Sequence, residues 1–79
     1  EFIFSGRLEI DYLNEKYKAL NFPDGDYHTL SGYLVMTTGE IPEQNREMIL
    51  DDYKFILELV SERKIEMVRV MVLEKEEEE

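Results

Sequence analysis

Along this chain the apolar positions change period several times, and each change marks an element. From Phe2 to Leu8 the run begins apolar and then alternates, with Phe4 and Leu8 on one phase and Ser5 and Arg7 on the other, as a half-buried strand requires. Gly6 falls on the apolar phase, which predicts a bend or a close backbone contact. At Ile10 the period lengthens. Ile10, Leu13 and Tyr17 recur at i, i+3, i+7 among Asp11, Asn14, Glu15 and Lys16, which predicts an amphipathic helix with acid in its first turn, ending near Lys18 to Leu20. Pro23-Asp24-Gly25-Asp26 then reads as a turn, with Pro pre-setting φ and Gly free to take a positive one.

The stretch from Tyr33 to Thr38 is strand-like in composition, yet Leu30, Tyr33, Leu34 and Thr37 recur at helical spacing. The flanks decide for a helix over about Leu30 to Thr38, because Thr29 caps an N-terminus and Gly39 suits the left-handed position just past a C-terminus. Gly32 inside it costs about 1 kcal/mol relative to Ala, and is expected where the helix backbone comes close to the sheet. The last third predicts three strands, Met48 to Leu50, Tyr53 to Val60 and Ile65 to Leu73, joined by hairpin turns at Asp51-Asp52 and Ser61-Glu62-Arg63-Lys64. Tyr53, Phe55, Leu57 and Leu59 hold one phase, but Ile56 and Val60 hold the other. In the final strand Val68, Val70 and Val72 oppose Ile65, Met67 and Met71. Apolar residues on both phases imply either that both sheet faces are covered in places or that a bulge shifts the register near Glu66. The order is β-α-α-β-β-β, an α+β domain with a mainly antiparallel sheet covered by two helices.

With 79 residues the chain makes one small domain, taken to span residues 1–73, and the run Glu74-Lys75-Glu76-Glu77-Glu78-Glu79 is expected to be a solvated, disordered tail. Its 43% hydrophobic content, with four Phe and five Tyr, is enough for a core. It opens on Glu1-Phe2-Ile3 without an initiator Met, which suggests a piece of a longer protein. A net charge of −10 disfavours nucleic acid and anionic lipid as partners, and points to cations or a basic protein surface. No cysteine is present, so disulfides and thiolate chemistry are excluded. The longest apolar runs, Leu34 to Met36 and Val70 to Leu73, fall far short of the roughly 20 residues that cross a bilayer, so no membrane insertion is expected.

Candidate chemistry is sparse. His28 follows Asp24 and Asp26 at a spacing open to a metal site. Against the calcium-loop pattern, however, a loop starting at Asp24 puts Thr29 where Gly belongs and Val35 where the bidentate Glu belongs. Asp51-Asp52, Glu40 with Glu43 and Glu43 with Glu47 pair carboxylates, but adjacent acids in exposed turns are solvated alike and cannot divide acid and base roles. Ser5, Ser31 and Ser61 share one possible histidine partner, and neither G-x-S-x-G, G-x-G-x-x-G nor a P-loop occurs. No enzymatic activity, catalytic residue, metal ligand or cofactor is therefore expected. Two ligand readings stay open. One is a small-ligand groove between the helices and the sheet, lined by Gly6, Gly32 and nearby tyrosines (Tyr12, Tyr17, Tyr27, Tyr33). The other is weak divalent-cation sensing by Asp24, Asp26, Asp51 and Asp52. For the tyrosines, core or edge packing is the alternative.

In order, "FSGRLEIDYLNEKY", a Pro turn, "TLSGYLVMTTGEIP" and "ERKIEMVRVMV" resemble the transporter-associated domain, or CorC/HlyC domain, over about Phe2 to Leu73. The resemblance is carried by Leu13-Asn14, by Thr29, Gly32 and Leu34 at a helix start, by Gly39, Ile41 and Pro42 at its exit, and by Arg63, Ile65, Val68 and Val70 in the closing strand. One departure is that Asn45 and Asp51-Asp52 stand where that family often has Gly. The resemblance implies a non-catalytic regulatory or assembly module at the C-terminal end of a membrane protein with transmembrane and CBS domains. Such proteins are linked to magnesium and cobalt efflux or to hemolysin-related functions, and this domain would lie on the cytoplasmic face of the inner membrane. Its implied partners are the CBS and transmembrane domains of the same chain, with a homodimer possible. It also implies a fold like the FAD-binding (PCMH-type) superfamily, and hence, as the alternative function, a domain that binds a flavin or an adenine nucleotide.

Overall fold

The computed structural model describes residues 1–73; the tail expected at 74–79 lies outside them. The elements are β1 (Phe2–Ser5), α1 (Ile10–Lys16), α2 (Leu30–Thr38), β2 (Glu47–Leu50), β3 (Tyr53–Ser61) and β4 (Lys64–Val72), in the order the sequence predicts. They form one four-stranded sheet, β1-β4-β3-β2. Every neighbouring pair is antiparallel, and β1 joins the last strand with Phe4 opposite Val68.

Two elements end sooner than their periodicity suggests. β1 stops at Ser5 because Gly6 leaves the strand: its N–H donates to the Glu66 carbonyl (3.0 Å) and its own carbonyl accepts from Ser31 N–H (2.9 Å). A Cβ on Gly6 would stand 2.1 Å from the Ile65 carbonyl oxygen, so the expected close backbone contact is present. α1 stops at Lys16 because Tyr17 turns extended and lays its ring against Phe2 and Phe4, with centroids 5.2 Å from each.

The core lies between the helices and one sheet face. Ile10 and Leu13 of α1 and Leu30, Tyr33 and Leu34 of α2 pack over Phe4, Phe55, Leu57, Val68 and Val70. The connection between the helices is not the tight turn expected at Pro23 to Asp26, since Gly25 does not take a positive φ and only a bend falls there, at Asp26; instead it adds Leu20 and Phe22 to the core, both buried. Phe22 enters a ring cluster with Tyr33, Tyr53 and Phe55, at centroid distances of 4.9 to 6.0 Å. Asn14 fixes it there. Its amide donates to the Phe22 carbonyl (3.0 Å) and accepts from the Phe22 N–H (2.8 Å), so a polar helix residue replaces the backbone partners that a loop lacks. Full burial of an aromatic side chain stabilises by roughly 1.5–3 kcal/mol, which makes this loop part of the core rather than a spacer.

The ends of α2 are as expected. Gly32 N–H donates to the Thr29 hydroxyl (3.1 Å), and Gly39 sits at φ 68° with its N–H on the Val35 carbonyl (2.8 Å). Gly32 itself does not face the sheet. An added Cβ would meet the Thr29 hydroxyl and the Tyr27 side chain, each at 3.3 Å, so the close approach is to the segment entering the helix.

The mixed phases of the last strands have a geometric cause. Leu57 pairs with Val68 but Leu59 with Met67, which makes Glu58 an extra residue on β3; Val60 then pairs with Ile65, which makes Glu66 an extra residue on β4. Of the two alternatives for the mixed phases, the bulge near Glu66 is present, and a second, on β3, adds to it. Between them they let Ile65 and Val68 both face the core while Leu59 turns out to solvent at 46% exposure. Asn45 (φ 71°) and Asp51 (φ 55°) occupy the left-handed region, which asparagine and aspartate enter more readily than other non-glycine residues.

Candidate functional site

Strand alternation gives the sheet a second face, and no helix covers it. Across the strands it reads Ile3, Arg69, Ile56, Glu47, then Met71, Lys54, Ile49, then Met67 and Leu59. Ile3 and Ile49 are 52% and 63% exposed, while Ile56, Met67 and Met71 are half-buried by their neighbours. Ion pairs cross the same face. The Arg69 guanidinium meets Glu58 at 2.5 Å and Glu1 at 3.1 Å, and Lys54 meets Glu47 at 3.1 Å. The hydrogen bond to Glu58, then that to Glu1, holds the Arg69 pKa above its ordinary value. Exposed pairs of this sort contribute little to stability, but they fix where charge lies among the apolar side chains. With Ile3 and Ile49 at its two edges and Arg69 and Lys54 between them, exposed apolar side chains interspersed with charge make this face a candidate interaction surface. The signal for it was in the sequence, as apolar residues on both strand phases.

The sequence-level candidates are dispersed. His28 is exposed and lines a cavity of about 200 Å³ with Glu9, Asp11, Asp24, Gly25 and Tyr27; Asp26 is not among the lining residues. Asp51 accepts a hydrogen bond from the Tyr33 hydroxyl (2.9 Å). Burial, then this hydrogen bond, pushes the Tyr33 pKa up. Burial, then the charges of Asp24 and Asp51, raises Tyr27, whose hydroxyl donates to the Pro23 carbonyl. Among the described residues no group of three or more His, Cys, Asp or Glu side chains is arranged to hold a metal ion.

Gly6 and the tyrosines are not brought together. Gly6 borders a cavity of about 260 Å³ with Arg7, Thr29, Ser31, Lys64, Ile65 and Glu66. Tyr17, Tyr27 and Tyr33 pack on the core, and Tyr12 is exposed on α1. Among the described residues no helix is long and apolar enough to cross a membrane.

The fold recurs in solved structures. A transporter associated domain from a Xylella fastidiosa Temecula1 hemolysin, in complex with Mg2+ and Mn2+, superposes with a TM-score of 0.75 at 25% identity, covering 92% of this chain and 87% of that one. A Mg2+ and Co2+ transporter (CorC) associated region from Neisseria meningitidis MC58 gives 0.78 at 13% identity over 90% and 86%. The transporter associated domain of a CBS domain protein from Porphyromonas gingivalis gives 0.76 at 17% identity over 91% and 87%. Among curated proteins none matches the chain. The family model of the transporter associated domain, CorC_HlyC, matches residues 1–74, and the chain belongs to that family.

Proposed function

We propose that this domain is a non-catalytic regulatory and assembly module of a CBS-domain membrane protein that moves divalent metal ions, acting on the cytoplasmic side by docking to neighbouring domains of the same protein. The observation that carries this reading is the uncovered sheet face, where Ile3, Ile49 and Leu59 stand exposed beside fixed ion pairs. A docked surface changes a transport equilibrium only through different contacts with two states, and a face that mixes apolar and charged positions can supply such a difference. The relatives named for a CBS domain protein and for a Mg2+ and Co2+ transporter support the setting. The cavities beside His28 and Gly6, about 200 and 260 Å³, are smaller than the roughly 300–1,000 Å³ of pockets that enclose drug-sized ligands, so neither favours a flavin dinucleotide.

The test is an intact-protein variant carrying Ile3→Ser, Ile49→Ser and Leu59→Ser. All three side chains are exposed, so the domain stays folded by circular dichroism, while metal efflux or its regulation is altered. Unchanged efflux and unchanged assembly in this variant, and equally in a protein lacking residues 1–79, would falsify the proposal.

A further inference from the structure

The cleft beside Gly6 has a chemistry that the docking role does not use. It lies where the β1–α1 turn, the start of α2 and the β3–β4 hairpin meet, and none of its lining residues belongs to the uncovered sheet face. Three backbone contacts hold it open in a fixed shape: Gly6 N–H on the Glu66 carbonyl (3.0 Å), Ser31 N–H on the Gly6 carbonyl (2.9 Å) and Leu30 N–H on the Leu8 carbonyl (2.9 Å). Because a Gly6 Cβ would collide with Ile65, only glycine lets these strands and the helix close to this distance.

Two cationic side chains border the cleft, and neither Arg7 nor Lys64 forms an ion pair among the described residues. Cations without an ion pair are common among the described residues, Lys16 and Lys18 included, so what sets Arg7 and Lys64 apart is that they border one cleft together. The paired cations are Arg46 with Glu40, Lys54 with Glu47, and Arg69 with Glu58 and Glu1. Arg63, adjacent to Lys64 in the hairpin, is unpaired as well. The hydroxyl residues Thr29 and Ser31 complete one wall, and the half-buried Glu66 lies on the lining too. The first N–H groups of α2 are all engaged within the fold, Leu30 on Leu8, Ser31 on Gly6 and Gly32 on Thr29, so an anion here would be held by side chains and not by the helix terminus.

We infer that this cleft binds a small phosphate monoester carrying hydroxyl groups: Arg7 and Lys64 hold the phosphate, Ser31 donates to it, and Glu66 accepts from a ligand hydroxyl. The Glu66 carboxylate makes a bare anion a poor fit and a hydroxylated ester a good one, because a carboxylate repels a phosphate and accepts from an alcohol. Binding is weak, since both cations are exposed to water and exposed ion pairs contribute little. The inference is independent of the docking role, and its readout is binding by the 79-residue chain rather than transport.

The experiment titrates ribose 5-phosphate, with ribose as the uncharged control, into the 15N-labelled chain at constant ionic strength and follows the backbone amides. Expected are saturable shifts at Gly6, Ser31 and Ile65 with ribose 5-phosphate and none with ribose. Binding should weaken about tenfold or more in Arg7→Gln/Lys64→Gln and be unchanged in Lys18→Gln, which removes an exposed cation elsewhere. Arg7→Gln alone, in an exposed turn, serves if the double variant does not fold. No saturable shift, an equal response to ribose, retention of binding in the Arg7 variants, or equal loss in Lys18→Gln would each overturn the assignment, the last by exposing simple counter-ion attraction.

Discussion

At the residue scale, Tyr33 joins packing to electrostatics. Its ring is buried against Phe22, Tyr27 and Phe55, and its hydroxyl reaches out to the Asp51 carboxylate at 2.9 Å. Ionising this phenol would put an anion in the core edge beside a carboxylate, so the folded state keeps the proton beyond the ordinary value of 10.0. The sign follows from linkage. Above pH 10 the unfolded chain loses the Tyr33 proton while the folded chain retains it, so stability is intact below that pH and falls as pH rises past it. Tyr33→Phe removes the hydrogen bond, at about 1 kcal/mol near neutral pH. The variant should then lose less stability than the parent between about pH 10 and pH 12, a difference that approaches 1.4 kcal/mol per pH unit per proton at the steepest point. Urea unfolding across that range checks it, and two parallel stability curves would refute the buried-phenol account.

At the element scale, the β3–β4 hairpin turns on residues poorly suited to it. Glu62 and Arg63 both hold positive φ, 52° and 65°, between the paired Ser61 and Lys64. A two-residue turn of this shape matches the twist of antiparallel strands and favours Asn-Gly, whereas ordinary residues there cost roughly 1–2 kcal/mol each. Glu62→Asn with Arg63→Gly should therefore stabilise the domain by about 1 kcal/mol and raise Tm by roughly 4–8 °C. A thermal melt that shows no rise would mean the turn is held by something other than its own backbone preference. The strand periods, the cap at Thr29 and the stop at Gly39 were legible in the sequence because they are local chemistry. The pairing of β1 with β4 and the burial of Phe22 were not, since they depend on residues far apart in the chain meeting across the sheet or through Asn14. The bulges were half legible. Mixed apolar phases announce a register fault, but only the pairing shows that there are two, at Glu58 and Glu66. The uncovered face was present as those same mixed phases, and the cleft beside Gly6 was visible only as a glycine on an apolar phase, because Arg7 and Lys64 are brought to it by tertiary structure.

At the scale of the whole molecule, charge sets the behaviour in solution. A net charge of −10 on a 79-residue chain means that carboxylates repel one another over distances comparable to the domain, whose radius of gyration for this length is about 12 Å. At 0.01 M salt the Debye length of about 30 Å leaves this repulsion unscreened, while at 0.15 M it shrinks to about 8 Å and confines each charge to its neighbours. Salt also weakens the exposed pairs Arg46–Glu40, Lys54–Glu47 and Arg69 with Glu58 and Glu1, an effect of opposite sign. The repulsion should win. It sums over ten excess charges at long range, where screening is strongest, whereas the ion pairs act at 2.5 to 3.1 Å, well inside the screening length at either salt concentration. Tm should thus rise as NaCl increases from 0.01 to 0.15 M and then level off, and should rise less in a Glu43→Gln/Glu62→Gln variant, which removes two exposed carboxylates that enter no ion pair among the described residues. A Tm that falls with salt would show instead that the few fixed pairs on the uncovered face, and not the net field, dominate the fold's electrostatics.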